Sequence, residues 1–192
     1  MDDPSLCSRA IAYLVSPDRK DLPVVTLPTA DAPVLTDLGN GLSVGYVVDQ
    51  GEYFQFIQRR NLWAAGMAQV ELHRSAVANL ATMLNDRNAL FHAWDDAFAV
   101  VFDGNFEASL ILVDGLWDKA LAHFAPNGFL AALPSKNVLA FCDMETPMGP
   151  RQLRRIIEDA GSSDRPIATT LYYRDPTRRD WRPYRAPSLD AH

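Results

Sequence analysis

The residues able to do chemistry are few and widely spaced. His73, His92, His123 and His192 are the only histidines, and none stands at metal-ligand spacing from another histidine or a cysteine. His73 falls on the apolar stripe of a helix, where a neutral imidazole bonded to a carbonyl is the plain reading. His73 and Asn79 are the polar residues of that helix held as functional candidates. Asp103, Asn105 and Glu107 place oxygen ligands at alternate positions, as the start of a calcium loop does. The central glycine and the twelfth-position glutamate of such a loop are missing. A strand-to-helix turn accounts for the same residues, with Gly104 at positive φ and Asn105 or Glu107 capping. No bound metal or cofactor is expected. Ser109 and Ser135 lack a nucleophile-elbow setting. Cys7 and Cys142 lack a basic neighbour to lower a thiol pKa. Gly39 and Gly41 make a turn, not a phosphate loop.

The one local anomaly of charge is near the C-terminus. Arg174, Arg178, Arg179, Arg182 and Arg185 are interleaved with Tyr172, Tyr173, Trp181 and Tyr184. Arginine with aromatics is the composition of binding surfaces and of single-stranded nucleic-acid grooves. Arg174, Arg178, Arg179, Trp181, Arg182, Tyr184 and Arg185 are therefore the partner-binding candidates. The alternative is a solvated edge hairpin whose arginines pair with Asp175 and Asp180. A net charge of −6 gives no global electrostatic case for nucleic acid.

The elements that must position these residues follow from pattern. A helix is expected over 6–15 and a proline-rich crossing over 17–41, with a short β-like run at 24–27. Strands at 42–48 and 53–57 suggest a hairpin, and a short helix from Asn61 is ended by Gly66. The longest helix covers 68–84, with Val70, His73, Val77, Leu80 and Leu84 on one face, widened by Leu72, Ala76 and Met83. Strands at 90–94 and 97–102 flank a tight turn at Asp95 and Asp96. A helical run over 107–124 breaks at Asp114. Apolar strands at 129–133 and 138–142, a helix at 150–160 ended by Gly161, and a β-type run at 167–173 complete the pattern. Pro183 assigns any returning strand to an edge.

Four segments resemble the YtpQ-like family of uncharacterised bacterial proteins. They are Val44-Gly-Tyr-Val-Val-Asp49, Glu71-Leu-His-Arg-Ser-Ala-Val-Ala-Asn-Leu80, Asp103-Gly-Asn-Phe-Glu-Ala-Ser-Leu110 with Leu116-Trp117, and Leu133-Pro-Ser-Lys-Asn-Val-Leu139. The match spans about residues 40 to 160, leaving out the first forty residues and the arginine-rich tail. The family has no established activity, so the resemblance implies no mechanism. At fold level the order of elements is similar to secretion-chaperone-like α+β proteins.

The expectation is an α+β protein: a single domain with an antiparallel sheet from strands near 90, 98, 130, 138 and 168, and helices packed on it. Residues 1–60 are an N-terminal extension with a small hairpin, 61–186 the core domain, and 187–192 a frayed tail. With no membrane-length apolar run, an acidic N-terminus and two cysteines, a cytoplasmic protein is expected. Its expected function is non-enzymatic, a protein-binding or chaperone-like module with a protein partner or self-association. The alternatives are an enzyme or metal-dependent binder using the 103–107 turn, and a weak nucleic-acid binder using the tail.

Overall fold

The computed structural model describes residues 3, 5–15, 27–160, 166–175 and 177–185. Helices and antiparallel sheets together make the fold α+β, as expected. The chain divides into two compact units, one of Met1–Ala89 with Ser109–Val113, the other of Leu90–Ala108 with Asp114–His192. The division falls after Ala89, whereas the sequence reading places its boundary at residue 60. The N-terminal hairpin and the long helix thus share a unit.

In the first unit a short helix α1 (Leu6–Arg9) leads into β1 (Ile11–Val15), followed by β2 (Leu35–Asp37), β3 (Ser43–Asp49) and β4 (Phe54–Phe56). β3 is the centre. Along one side it pairs with all of β1, Ile11 opposite Val47 through Val15 opposite Ser43. Its other side is shared, the first half with β2 and the second with β4. Gly45 makes the sharing possible: an added Cβ would lie 2.7 Å from the Phe56 ring. The expected hairpin is therefore part of a four-stranded sheet. Two helices follow, α2 (Arg59–Ala65), closed by Gly66 at φ +59°, and α3 (Gln69–Arg87). Glu71 starts α3 by accepting the Ala68 N–H (3.0 Å).

α3 packs on β1 and α1. This corrects the expectation that it packs on the later strands. Its fully buried residues are Leu72, Ala76 and Leu80, whereas Val70 is 64% exposed. The period was right and the phase was off by a fraction of a turn. A second correction concerns 6–15, where only the first four residues are helical. Leu6, Ile11 and Leu14 satisfy a helical spacing, yet Ala12 and Leu14 are buried at strand period. Pairing with β3 decides the contest, because a ladder thirty residues away outweighs weak local propensity.

The second unit holds one six-stranded antiparallel sheet. Its strands are β5 (Leu90–Trp94), β6 (Ala97–Val101), β7 (Phe129–Ser135), β8 (Val138–Asp143), β9 (Tyr172–Arg174) and β10 (Trp181–Pro183), in the order β10-β9-β7-β8-β6-β5. β7 is buried along its whole length, as an apolar run covered on both faces must be. On one face a helix, α4 (Gly149–Ala160), seals Ala97, Leu130, Ala132, Ala140, Cys142 and Leu171 with Leu153. Gly149 lets α4 start against β8, since a Cβ there would lie 2.7 Å from Cys142 Sγ. On the other face the rings of Phe98, Phe129 and Phe141 pack against Phe124 and Trp117.

The expected helix over 107–124 is instead three short helical pieces. A 3-10 turn at Ala108–Leu112, a π-type turn at Leu116–Ala120 and another 3-10 turn at Ala122–Phe124 succeed one another, with the break near Asp114 as read. The continuous burial of Ala108, Ser109, Leu110 and Ile111 leaves no solvent face for a regular amphipathic helix. The β-run expected at 167–173 is a strand only from Tyr172 on; before it, Ile167 and Ala168 donate singly to Pro134 and Leu133 carbonyls. Residues 24–26 of the proline-rich crossing, Gly161 and the 187–192 tail lie outside the described residues.

The phase of α3 can be checked directly. Leu80→Ala is expected to cost about 2–5 kcal/mol in urea or thermal unfolding, and Val70→Ala less than about 0.5 kcal/mol. Equal effects would reverse the assignment of the buried face.

Candidate functional site

His73 belongs to the first unit, where it ends a line of polar groups. Gln69 Nε2 donates to Thr36 Oγ1 (3.0 Å) and to the Leu35 carbonyl (2.9 Å). Thr36 Oγ1 meets Tyr46 Oη at 2.5 Å, and Tyr46 Oη meets His73 Nδ1 at 3.0 Å. With the imidazole neutral and its proton on Nε2, every donor in the line finds an acceptor. Burial holds the ring in that state, lowering the His73 pKa below 6.5. Burial raises the Tyr46 hydroxyl despite its bond to Thr36, so the tyrosine keeps its proton. The group joins α3 to β2 and β3. The partner of His73 is thus a hydroxyl, not the carbonyl expected. Asn79, the other polar candidate of this helix, turns inward: its Nδ2 donates to the Ser8 and Ala10 carbonyls (2.9 and 2.8 Å). It receives the end of α1 and the start of β1.

The 103–107 turn lies in the second unit and spends its oxygens on its own backbone. Asp103 Oδ1 accepts from the Asn105 and Phe106 N–H groups, both at 3.0 Å. Glu107, 2% exposed, accepts from Phe102 N (3.0 Å) and Gly104 N (2.7 Å) through Oε1. Gly104 has φ +85°, as the turn reading requires. Asn105 Oδ1 takes Lys136 Nζ at 2.5 Å. Capping therefore comes from Asp103, and Glu107 reaches backward to the end of β6; both differ from the expectation that Asn105 or Glu107 caps. Among the described residues no three histidine, cysteine or acidic side chains gather as metal ligands. Glu107 Oε2 has no hydrogen-bond partner among them. Both thiols are buried; burial raises Cys7 and, chiefly, pushes Cys142 up to about 12.

The arginine-rich segment is split by the fold. β9 and β10 form the returning hairpin, with Pro183 in the edge strand as expected. Arg174 is only 3% exposed and Trp181 only 8%, which removes both from the binding surface on which the sequence reading put them. Arg174 Nη2 donates to Asp114 Oδ1 (2.9 Å) and Asp118 Oδ1 (3.0 Å). Its guanidinium lies 5.7 Å from the Trp181 ring centroid. Asp118 also pairs with Arg179 at 3.4 Å. Arg182 is bound by Asp180, and Asp175 accepts the Thr177 and Arg178 N–H groups. Arg178, Arg179 and Arg185 are exposed, and Arg182 and Tyr184 partly so.

Sequence reasoning missed the other edge of this sheet. His92 is exposed. Leu90 is 58% exposed, Val101 48% and Trp94 42%. Register puts Leu90 opposite Val101, His92 opposite Ala99 and Trp94 opposite Ala97, all on the face that α4 covers further along. The intervening Phe91 points the other way, into the Phe124 and Phe141 rings. The hairpin is braced rather than loose: Gln152 of α4 bonds Asp95 Oδ2 (3.0 Å) and the Asp96 N–H (3.2 Å), and Asp96 Oδ2 accepts Met148 N (3.0 Å). The signal was present as a strand without charge or proline; its edge position was not.

Comparisons with protein-family models, with curated proteins and with solved structures find no match for this chain.

Two outcomes test these assignments. A lowered His73 pKa means that the unfolded chain binds the proton more readily than the fold does. The stabilisation is then full above about pH 6.5 and is lost as pH falls through the lower folded value. Wild type is expected to lose more stability than His73→Gln between about pH 8 and about pH 5; parallel pH profiles would contradict the buried neutral ring. Arg174→Ala is expected to destabilise by about 1–3 kcal/mol, because it empties a buried site beside Trp181 and breaks two charge-assisted hydrogen bonds, while the carboxylates left behind stay in contact with water. Arg178→Ala is expected to change melting by less than about 0.5 kcal/mol.

Proposed function

We propose that this chain is a non-enzymatic protein-binding module, acting in the cytoplasm, that takes an extended segment of a protein partner along β5. The observation that carries the reading is a sheet edge that is unguarded among the described residues. Sheet ends are ordinarily protected by charge, proline or a bulge, because their unpaired N–H and C=O groups recruit other strands. β10 follows that rule with Arg182 and Pro183. β5 reads Leu90, Phe91, His92, Ala93, Trp94, with neither charge nor proline, and pairs along its full length with β6 without a bulge. Exposed Leu90, Trp94 and Val101 beside it offer apolar contact for alternate side chains of an added strand. Two free, buried cysteines suit a reducing compartment. Kinship with the YtpQ-like proteins is proposed on the segments quoted above and adds no activity to this reading.

The test is a selection of linear peptides from a display library, followed by fluorescence anisotropy of those enriched. Binding to wild type is expected to be lost in Ala93→Pro, which removes a strand donor, and kept in Arg178→Ala. Peptides that bind both variants as well as wild type would remove β5 from the role.

A further inference from the structure

We infer that the segment received at the β5 edge is β5 of a second copy of this chain, running antiparallel about a two-fold axis at His92. The inference rests on β5 being the docking edge and names its occupant.

The backbone supplies the first argument. The two-residue turn at Asp95 and Asp96 makes Trp94 and Ala97 a pair that exchanges both hydrogen bonds. Alternation then aims the N–H and C=O of Leu90, His92 and Trp94 at β6 and those of Phe91 and Ala93 at the open side. A second β5 centred on His92 sets Phe91 opposite the copy's Ala93, twice over. Four outward donors and acceptors on each side find partners with no register shift.

The side chains agree with that register. Centring on His92 places Leu90 opposite the copy's Trp94 and Trp94 opposite the copy's Leu90. These two are more than two-fifths exposed and lie on one face. Strand pairs of large apolar groups are the favourable kind. His92 meets its own copy in the closely spaced, non-hydrogen-bonded position, a place that a residue of fixed charge, such as arginine or aspartate, would make repulsive. Read from either end, the strand presents a large apolar side chain, an outward backbone group, the histidine, an outward backbone group and another large apolar side chain. An isologous interface needs this self-complementarity.

Charge selects the antiparallel order. The strand itself is neutral, but Asp95 and Asp96 follow it directly, and the chain carries a net charge of −6. Parallel pairing would bring two acidic turns side by side. Antiparallel pairing holds them at opposite ends.

Sedimentation velocity of the full chain across a dilution series, with hydrogen exchange read at single amides, tests the proposal. Wild type is expected to form a reversible dimer, and the Phe91 and Ala93 amides to gain protection as concentration rises. Trp94→Glu and Ala93→Pro are each expected to weaken the dimer by about tenfold or more. Trp94→Glu keeps every backbone donor and tests the same edge if the proline distorts the hairpin. Arg178→Ala, on the opposite side of the sheet order, serves as the unchanged control. A dimer that survives both edge variants, or a wild type that stays monomeric throughout, overturns the inference. In the monomeric case, display peptides that still bind wild type and not Ala93→Pro leave the β5 docking reading standing; their absence removes both.

Discussion

A guanidinium held at 3% exposure is expensive unless its charge is answered. Arg174 is answered by Asp114 and Asp118, spaced so that one helical turn presents both carboxylates to a single nitrogen. Their solvent contact keeps the cost down, for the Asp114 side chain is 72% exposed and that of Asp118 23%. The pairing fixes more than two side chains. It ties β9 to the helical segment that carries Trp117, and Trp117 is the ring met by Phe129, Phe141 and Trp181. The ion pair thus adds a polar tie to the ring contacts that cover the aromatic face of the six-stranded sheet. Arg174 Nη1 finds no hydrogen-bond acceptor among the described residues, and the guanidinium carbon lies 5.7 Å from the Trp181 ring centroid.

Much of the architecture was legible locally. The β5–β6 hairpin declared itself by strict alternation around two aspartates, and α2 by the glycine that ends it. What local pattern did not carry were choices settled across the chain. Whether 10–15 is helix or strand depends on β3. Whether Asn79 faces water depends on the carbonyls of Ser8 and Ala10. Arg174 and Trp181 looked like a binding surface because their composition is the same as that of one. The carboxylates that draw Arg174 inward lie 56 and 60 positions away, beyond any pattern of spacing. The 103–107 turn was read correctly as a turn, with the roles of its oxygens exchanged.

The same sheet ends in two different ways, and the contrast gives the molecule a direction. At β10 the chain places proline, an arginine bound by its neighbour, and a tight turn stabilised by Asp175, whose carboxyl the N–H groups of Arg178 and Thr177 hold below its usual range against a small burial cost. At β5 it places a neutral apolar strand stiffened from behind by Gln152 and Met148.

The first unit is discontinuous in the chain, and this bears on how it is made. Ser109 Oγ accepts the Leu14 N–H (2.9 Å) on the side of β1 away from β3, and Leu110 and Ile111 are buried with it. A ribosome that has released only the first 89 residues has therefore not yet delivered the piece that closes β1. That strand must wait, at about 5–20 residues per second, while β5 and β6 are synthesised. The N-terminal half emerges with an open strand of its own, and its completion is coupled in time to the appearance of the hairpin that follows.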